Sequence, residues 1–122
     1  MFATAKNEAH IDIKKMAGTE TVSREHGRKI RKIIELYFKS KDRVIVDFSN
    51  LSIASPSFID EAFAKLLLKY SIDEVKQKLT FINISYFDRA LLNDLIIARI
   101  RERSLLEETP KVRFHLAAKR NR

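Results

Sequence analysis

The spacing of apolar residues predicts that the chain begins with a strand followed by a helix. Positions 10–14 alternate polar and apolar side chains, which is the two-residue period of a half-buried strand. Ser23 is a typical helix N-cap, and after it apolar side chains recur at the spacing of one helix face, at Ile30, Ile33, Ile34, Tyr37 and Phe38. The opposite face is rich in Arg and Lys, so we expect this helix to pack on a sheet by a single apolar stripe.

Two more strands and two more helices follow. Residues 44–48 are a run of β-branched and aromatic side chains between polar residues, a pattern typical of a central strand covered on both faces. The segment Ser55-Pro56-Ser57 opens a second helix, because serine caps helices and proline fits their first turn. Residues 79–84 indicate a third strand. Ser85 then indicates the start of a third helix, and Pro110 indicates its end.

Residues 112–116 alternate strictly and predict a fourth strand. The order β-α-β-α-β-α-β along the chain therefore predicts a single α/β domain with a mainly parallel or mixed four-stranded sheet and packed helices. We expect this domain to span residues 10–118. A flexible amino terminus or weak edge strand at 1–9 precedes it, and a basic tail at 119–122 follows it.

The formal net charge of +8 arises mainly from two basic segments, residues 24–43 and 111–122. Clustered Lys and Arg attract phosphate, so nucleic-acid binding is an alternative to a simple solvated helix face. The chain has no cysteine, which excludes disulfides and thiolate metal sites, and it lacks a secretory signal at its start. No apolar run is long enough to cross a bilayer, so we expect a cytoplasmic protein without a membrane span.

The usual templates for catalysis are missing. Two glycines are too few for a Walker phosphate loop or a dinucleotide-binding loop, whose backbone must approach phosphate closely. His10, His26 and His115 are far apart in sequence and lack the spacing of metal ligands. Asp60 and Glu61 are adjacent, so on a helix they point about 100° apart and do not converge on one substrate atom. We therefore predict no enzyme activity, no metal and no cofactor, and rank a small hydrolase or transferase last.

Several short motifs resemble one family. A hydrophobic strand ends in an Asp-Phe pair and leads through a short loop into a helix with the pattern Phe-x-Asp-Glu, and a Ser-Arg pair begins the first helix. The residues concerned are Ser23-Arg24, Gly27-Arg28, Asp47-Phe48, Phe58-Ile59-Asp60-Glu61 and Asn83. Over about residues 10–100 the chain thus resembles STAS-like domains of the DUF4325 type. The resemblance implies a STAS-like fold and a regulatory role in protein–protein interaction.

Anti-sigma factor antagonists are distant relatives of such domains and imply a partner. In them, the loop before the second helix reads Asp-Ser-Ser-Gly, and a histidine-kinase-like (GHKL-type) ATPase binds the domain and phosphorylates its serine. Here the loop reads Ala54-Ser55-Pro56-Ser57-Phe58, without the acidic residue or the glycine. The resemblance therefore implies an ATPase partner, while Ser55 and Ser57 remain open to three roles: helix capping, phosphorylation, or binding of an anion without modification.

The candidate site lies where the predicted helices begin. In a parallel sheet these starts share one edge, which is the edge where open α/β folds usually bind ligands. We expect Arg24 or Arg28 to pair with Asp60 or Glu61 across this edge, and Asp47 to accept hydrogen bonds from loop N–H groups. The predicted partner-binding or ionic cluster comprises Ser23, Arg24, Arg28, Asp47, Phe58, Asp60 and Glu61, with Ser55 and Ser57 as phosphoacceptor or anion site.

Overall fold

The computed structural model describes the backbone of residues 7–120 and the side chains of residues 7–107. This part of the chain contains both strands and helices. In chain order the elements are β1 (Glu8–Asp12), α1 (Ile13–Ala17), β2 (Thr21–Val22), α2 (Arg24–Ser40), β3 (Arg43–Asp47), β4 (Ile53–Ala54), α3 (Pro56–Ala62), a 3₁₀ helix (Ala64–Leu68), α4 (Ile72–Lys78), β5 (Leu79–Ile82) and α5 (Tyr86–Arg120).

The five described strands form two separate parallel sheets. The larger one has the order β1-β3-β5, so the strand predicted to be central is central. The smaller one pairs β2 with β4. The predicted α/β fold with parallel strands and packed helices is thus confirmed, whereas the prediction of one four-stranded sheet is wrong.

The fourth strand predicted at residues 112–116 does not form. The backbone from Tyr86 to Arg120 is one helix that continues past Pro110. Alternation over five residues is a weak signal, because a strand is stable only beside another strand, whereas a helix satisfies its own backbone hydrogen bonds. Proline within a helix removes one N–H donor and its ring crowds the carbonyl of the preceding turn, so it disfavours the helix without excluding it.

The structure describes part of each segment that was predicted to flank the domain. β1 begins at Glu8, so part of the segment predicted as a flexible amino terminus or weak edge strand is an ordered edge strand. The predicted flexibility of residues 1–6 lies outside the described residues. The basic tail predicted at 119–122 is helical as far as Arg120, and its last two residues lie outside the described part.

The core lies between the larger sheet and the helices. Buried aliphatic side chains of β1 and β3 meet the apolar stripe of α2, which contributes Ile30, Ile34 and Phe38. Aromatic rings fill the side beneath α3, where Phe63 packs edge-on against Phe58 and Phe81 at centroid distances of 5.7 and 5.0 Å. These rings bind α3 to the sheet and so fix the position of its first turn.

Gly27 allows α2 and α3 to approach closely. A Cβ atom at this position would lie 2.7 Å from the backbone oxygen of Phe58 and 3.1 Å from the nitrogen of Ala62. Both neighbours are backbone atoms of α3, so they move only if the helix moves. Glycine here sets the distance between the two helices.

We predict that Gly27→Ala lowers the free energy of unfolding by about 1–3 kcal/mol, the usual cost of overpacking a close contact. In an exposed helix the same change would stabilise by up to about 1 kcal/mol. Urea unfolding followed by circular dichroism measures the effect, with Lys29→Ala on the exposed face of α2 as control. A Gly27→Ala protein as stable as the original would contradict the packing described here.

Candidate functional site

The smaller sheet brings the starts of α2 and α3 together. Val22 pairs with Ala54, and the Ser55 N–H donates to the Val22 carbonyl at 3.3 Å. The next residue in each chain segment is the N-cap of a helix, Ser23 for α2 and Ser55 for α3. Two parallel helices therefore begin side by side.

The serines at this place differ in what their hydroxyl groups do. The Ser55 Oγ accepts a hydrogen bond from the Phe58 N–H at 3.0 Å, so this side chain caps α3. The Ser57 Oγ instead accepts from the Arg24 Nη2 at 3.3 Å, across from α2. At Ser23 the backbone N–H donates to the His26 Nδ1 at 3.2 Å. Ser57 is thus the hydroxyl that faces an exposed cation.

Glu61 lies at the centre of the contact between the two helices. Its side chain is 3% exposed, and its two carboxylate oxygens are 3.0 Å from the Arg31 Nη1 and 2.9 Å from the Lys65 Nζ. The Arg31 Nη1 also donates to the backbone oxygen of Glu61 at 2.6 Å. A buried carboxylate is stable only when it is paired and hydrogen-bonded, and these two cations meet that requirement.

Arg24 and Arg28 form the outer part of the same cluster. The Arg24 Nη1 and the Arg28 Nε each lie 3.9 Å from a Glu61 oxygen, beyond hydrogen-bonding distance, and their side chains are 58% and 47% exposed. Glu61 thus has four cationic side chains within 4.0 Å. Two of them satisfy its oxygens, so the other two present positive charge to solvent.

The cations keep Glu61 ionised. Burial raises the pKa of this carboxyl, but the hydrogen bonds and charges of Lys65 and Arg31 outweigh burial and bring the pKa below its ordinary value of 4.5. At neutral pH the carboxylate therefore holds the guanidinium groups of α2 against α3.

Asp60 does not join this cluster. Its carboxylate forms a two-pronged ion pair with Arg99 of α5, in which the Nε–Oδ1 distance is 2.9 Å, and the Arg99 Nη1 also reaches Glu102 at 2.6 Å. Asp60 therefore fixes α5 against α3, while its neighbour Glu61 fixes α2.

Asp47 lies at the carboxyl edge of the larger sheet, and its carboxylate accepts hydrogen bonds from the loops at that edge. It accepts hydrogen bonds from the Ser49 hydroxyl, the Asn83 amide and the Ser49 N–H, at 2.6, 3.0 and 2.8 Å. These bonds lower the pKa of the carboxyl, most strongly through the Ser49 hydroxyl. Ser85, nearby in sequence to Asn83, caps α5 by accepting from the Asp88 N–H at 3.0 Å.

The predicted site is therefore only partly assembled. Ser23, Arg24, Arg28, Ser55, Ser57 and Glu61 meet at the paired helix starts, whereas Asp47 and Asp60 bond elsewhere. Phe58 is 0% exposed, so its assignment to a partner-binding surface is corrected: the ring packs in the core. Arg31 and Lys65 were missed, although Arg31 follows Arg24 and Arg28 on one helix face and Lys65 follows Glu61 by one turn.

Neither a metal-binding cluster nor a membrane-spanning helix occurs among the described residues. No group of three or more histidine, cysteine, aspartate or glutamate residues there is arranged to hold a metal ion. Within the same part of the chain, no helix combines the length and apolar character needed to cross a membrane.

Comparison with known proteins gives one match. The family model of the STAS-like domain of unknown function DUF4325 matches residues 26–86, which is half of the chain. The matched segment runs from the first turn of α2 to the first residue of α5 and contains Glu61 and the start of α3. No curated protein and no solved structure matched.

We predict that Glu61→Gln lowers the free energy of unfolding by about 1–3 kcal/mol, because the neutral amide leaves the partly buried Arg31 and Lys65 without an anionic partner. The matched control is Glu25→Gln, at an exposed position of α2, which should change the free energy of unfolding by less than about 0.5 kcal/mol. Urea unfolding near neutral pH measures both. Equal stabilities of the two variants would show that Glu61 does not hold the helices together.

We predict that acid weakens the fold in a defined range. Because the pKa values of Glu61 and Asp47 are lowered in the folded state, the unfolded state binds more protons as the pH falls through their ordinary values of 4.5 and 3.8. The free energy of unfolding should be constant between about pH 5.5 and pH 8 and decrease below about pH 5.5. Urea titrations down to about pH 3 test this, and Glu61→Gln should show a shallower decrease than the unchanged chain. If the free energy of unfolding of the variant decreased equally steeply with falling pH, protonation of Glu61 would not be a cause of the acid sensitivity.

Proposed function

Since the chain belongs to the STAS-like DUF4325 family, we propose that it is a non-enzymatic regulatory module that binds another protein through the adjoining starts of α2 and α3. The observation that carries this proposal is the pair Arg24 and Arg28. Both guanidinium groups are about half exposed beside a carboxylate whose oxygens already have closer partners. The absence of cysteine from the chain agrees with a cytoplasmic role.

The partner we propose is a histidine-kinase-like ATPase, as in the distantly similar anti-sigma factor antagonists. The exposed arginines would meet acidic side chains of that partner. Such charge pairs at the rim of an interface mainly speed association and select the partner, and well-formed pairs add affinity. The buried residues of α3 would act indirectly, by holding this surface in place.

Ser57 is the residue we propose for phosphorylation by the ATPase. The Ser55 hydroxyl is already used to cap α3, whereas the Ser57 hydroxyl faces Arg24. A phosphate on Ser57 would lie in the first turn of α3, where the helix dipole and the arginine favour negative charge. It would also neutralise the surface that attracts an acidic partner, so phosphorylation would release the partner.

We predict that Arg24→Glu combined with Arg28→Glu weakens binding to the ATPase by at least about tenfold, because like charges then face each other. Lys29→Glu combined with Lys32→Glu changes the net charge equally on the exposed side of α2 and is the matched control. Biolayer interferometry against each purified histidine-kinase-like ATPase of the same organism measures the affinities. Binding by none of them, or equal loss in both variants, would contradict the proposed surface.

A phosphorylation assay tests the switch. With the binding ATPase and ATP, mass spectrometry should locate phosphate on Ser57, and Ser57→Ala should abolish it while Ser55→Ala should not. Ser57→Asp should weaken ATPase binding. Phosphate on Ser55 alone, or no phosphate, would contradict the proposed role of Ser57.

A second candidate function is nucleic-acid binding by the outer face of α2. Lys29, Lys32 and Lys39 are exposed there and would neutralise phosphates. Stacking is not available from this helix, since Phe38 is buried and Tyr37 packs against the core. Fluorescence titrations with short DNA and RNA at low and high salt distinguish the two functions, because absence of binding at low salt excludes this one.

A further inference from the structure

An apolar groove lies between α4, β5 and α5, away from the Glu61 cluster. Its volume is about 620 Å³, within the range of about 300–1,000 Å³ that is common for small-molecule sites. Ile72 and Val75 line one side and Leu92, Ile96 and Ile100 the other. The groove is therefore large enough and apolar enough to hold a small hydrophobic ligand.

The position of β5 explains why the groove is open. β5 is an edge strand of the larger sheet in the described part of the chain, since it pairs with β3 only. No further strand covers the space between α4 and α5 on its outer side within that part. Ile97, on the lip of the groove, is consequently 48% exposed.

Polarity changes along the wall that α5 provides. Arg89 and Asn93 lie one turn apart near the start of the helix, and both line the groove. Leu92, Ile96 and Ile100 continue the same face at three- and four-residue spacing. One end of the groove thus offers a guanidinium and an amide, and the rest offers hydrocarbon.

The charge of the groove has one sign. Arg89 and Lys76 line it, and no described residue that lines it is acidic. Within the described side chains neither cation forms an ion pair. Arginine has a planar fork of donors that matches a carboxylate, and asparagine can add a further donor. The complementary ligand is apolar along its length and anionic at one end.

We infer that this groove binds an elongated amphipathic carboxylate of the fatty-acid type. The carboxylate is held by Arg89 and Asn93, and the hydrocarbon chain lies against Leu92, Ile96 and Ile100. Lys76 on the facing wall adds to the attraction for an anion. The site is separate from the surface proposed for protein binding, so either proposal can fail without the other.

Isothermal titration calorimetry with dodecanoate tests the inference. Dodecanoate should bind, and each methylene removed from the chain should weaken binding by about twofold, because the open groove buries only part of the chain. Dodecyltrimethylammonium has the same chain with a cationic head and should bind at least about tenfold more weakly. Equal affinity for dodecanoate and dodecyltrimethylammonium would show that the cations of the groove do not favour an anionic head group, which would contradict the inference.

Variants assign the ligand to this groove. Arg89→Glu should weaken dodecanoate binding by at least about tenfold, and Ile97→Trp should weaken it by narrowing the groove. Arg101→Glu is the matched control, since Arg101 is exposed on the same helix and does not line the groove. All three positions are exposed at least in part, and circular dichroism confirms that the variants are folded. No binding of dodecanoate, or equal effects of Arg89→Glu and Arg101→Glu, would overturn the inference.

Discussion

The contact between α2 and α3 depends on a buried carboxylate that must be surrounded by cations. Glu61 lies at the contact with α2, and Gly27 lets the backbones of the two helices approach each other closely. A charge in this position is costly without partners, so the helix face opposite must carry arginine. The arrangement fixes both the distance between the helices and the sign of the charge on the surface above them.

The smaller sheet supplies the second constraint on that surface. Two residues from each strand are enough to place two helix caps side by side, because the strands run parallel and the helices begin at once after them. The aromatic rings around Phe63 then pack α3 against the sheet. Positive charge at the starts of α2 and α3 is thus held by rigid elements instead of a loop, as a recognition surface requires.

Sequence patterns predicted several of the elements that have a clear period or a clear cap, but they missed α4, which begins with a capping box of Ser71 and Glu74. The strands of the larger sheet and the starts of α2, α3 and α5 were placed within a few residues, since alternation, helical spacing and capping serines all act locally. The two-residue strands β2 and β4 were missed because two residues have no period. The strand predicted at 112–116 was wrong, because alternation alone does not supply a neighbouring strand.

In the candidate site, too, features that follow from local sequence patterns were predicted, and features that depend on packing were not. The pairing of Arg24 and Arg28 with Glu61 was among the options because all three follow from the helix starts. Three other features depend on how α5 and α3 are rotated against each other. They are the pairing of the arginines with Glu61 instead of Asp60, the ion pair of Asp60 with Arg99, and the burial of Phe58. Rotation of a helix about its axis is set by the packing of the whole core, which no single segment of sequence contains.

The register of the larger sheet has a consequence for how the chain is made. Glu8 pairs with Arg43 and Val44 with Leu79, so strand partners are 35 residues apart in both pairs. No strand of this sheet can pair with a neighbour in sequence, and contacts between distant segments form slowly. During synthesis β1 cannot pair until β3 has been made, and the second edge of β3 cannot pair until β5 has been made. The apolar faces of these strands are uncovered until then. The nascent protein therefore exposes apolar strand surface, which favours aggregation, until β5 has left the ribosome.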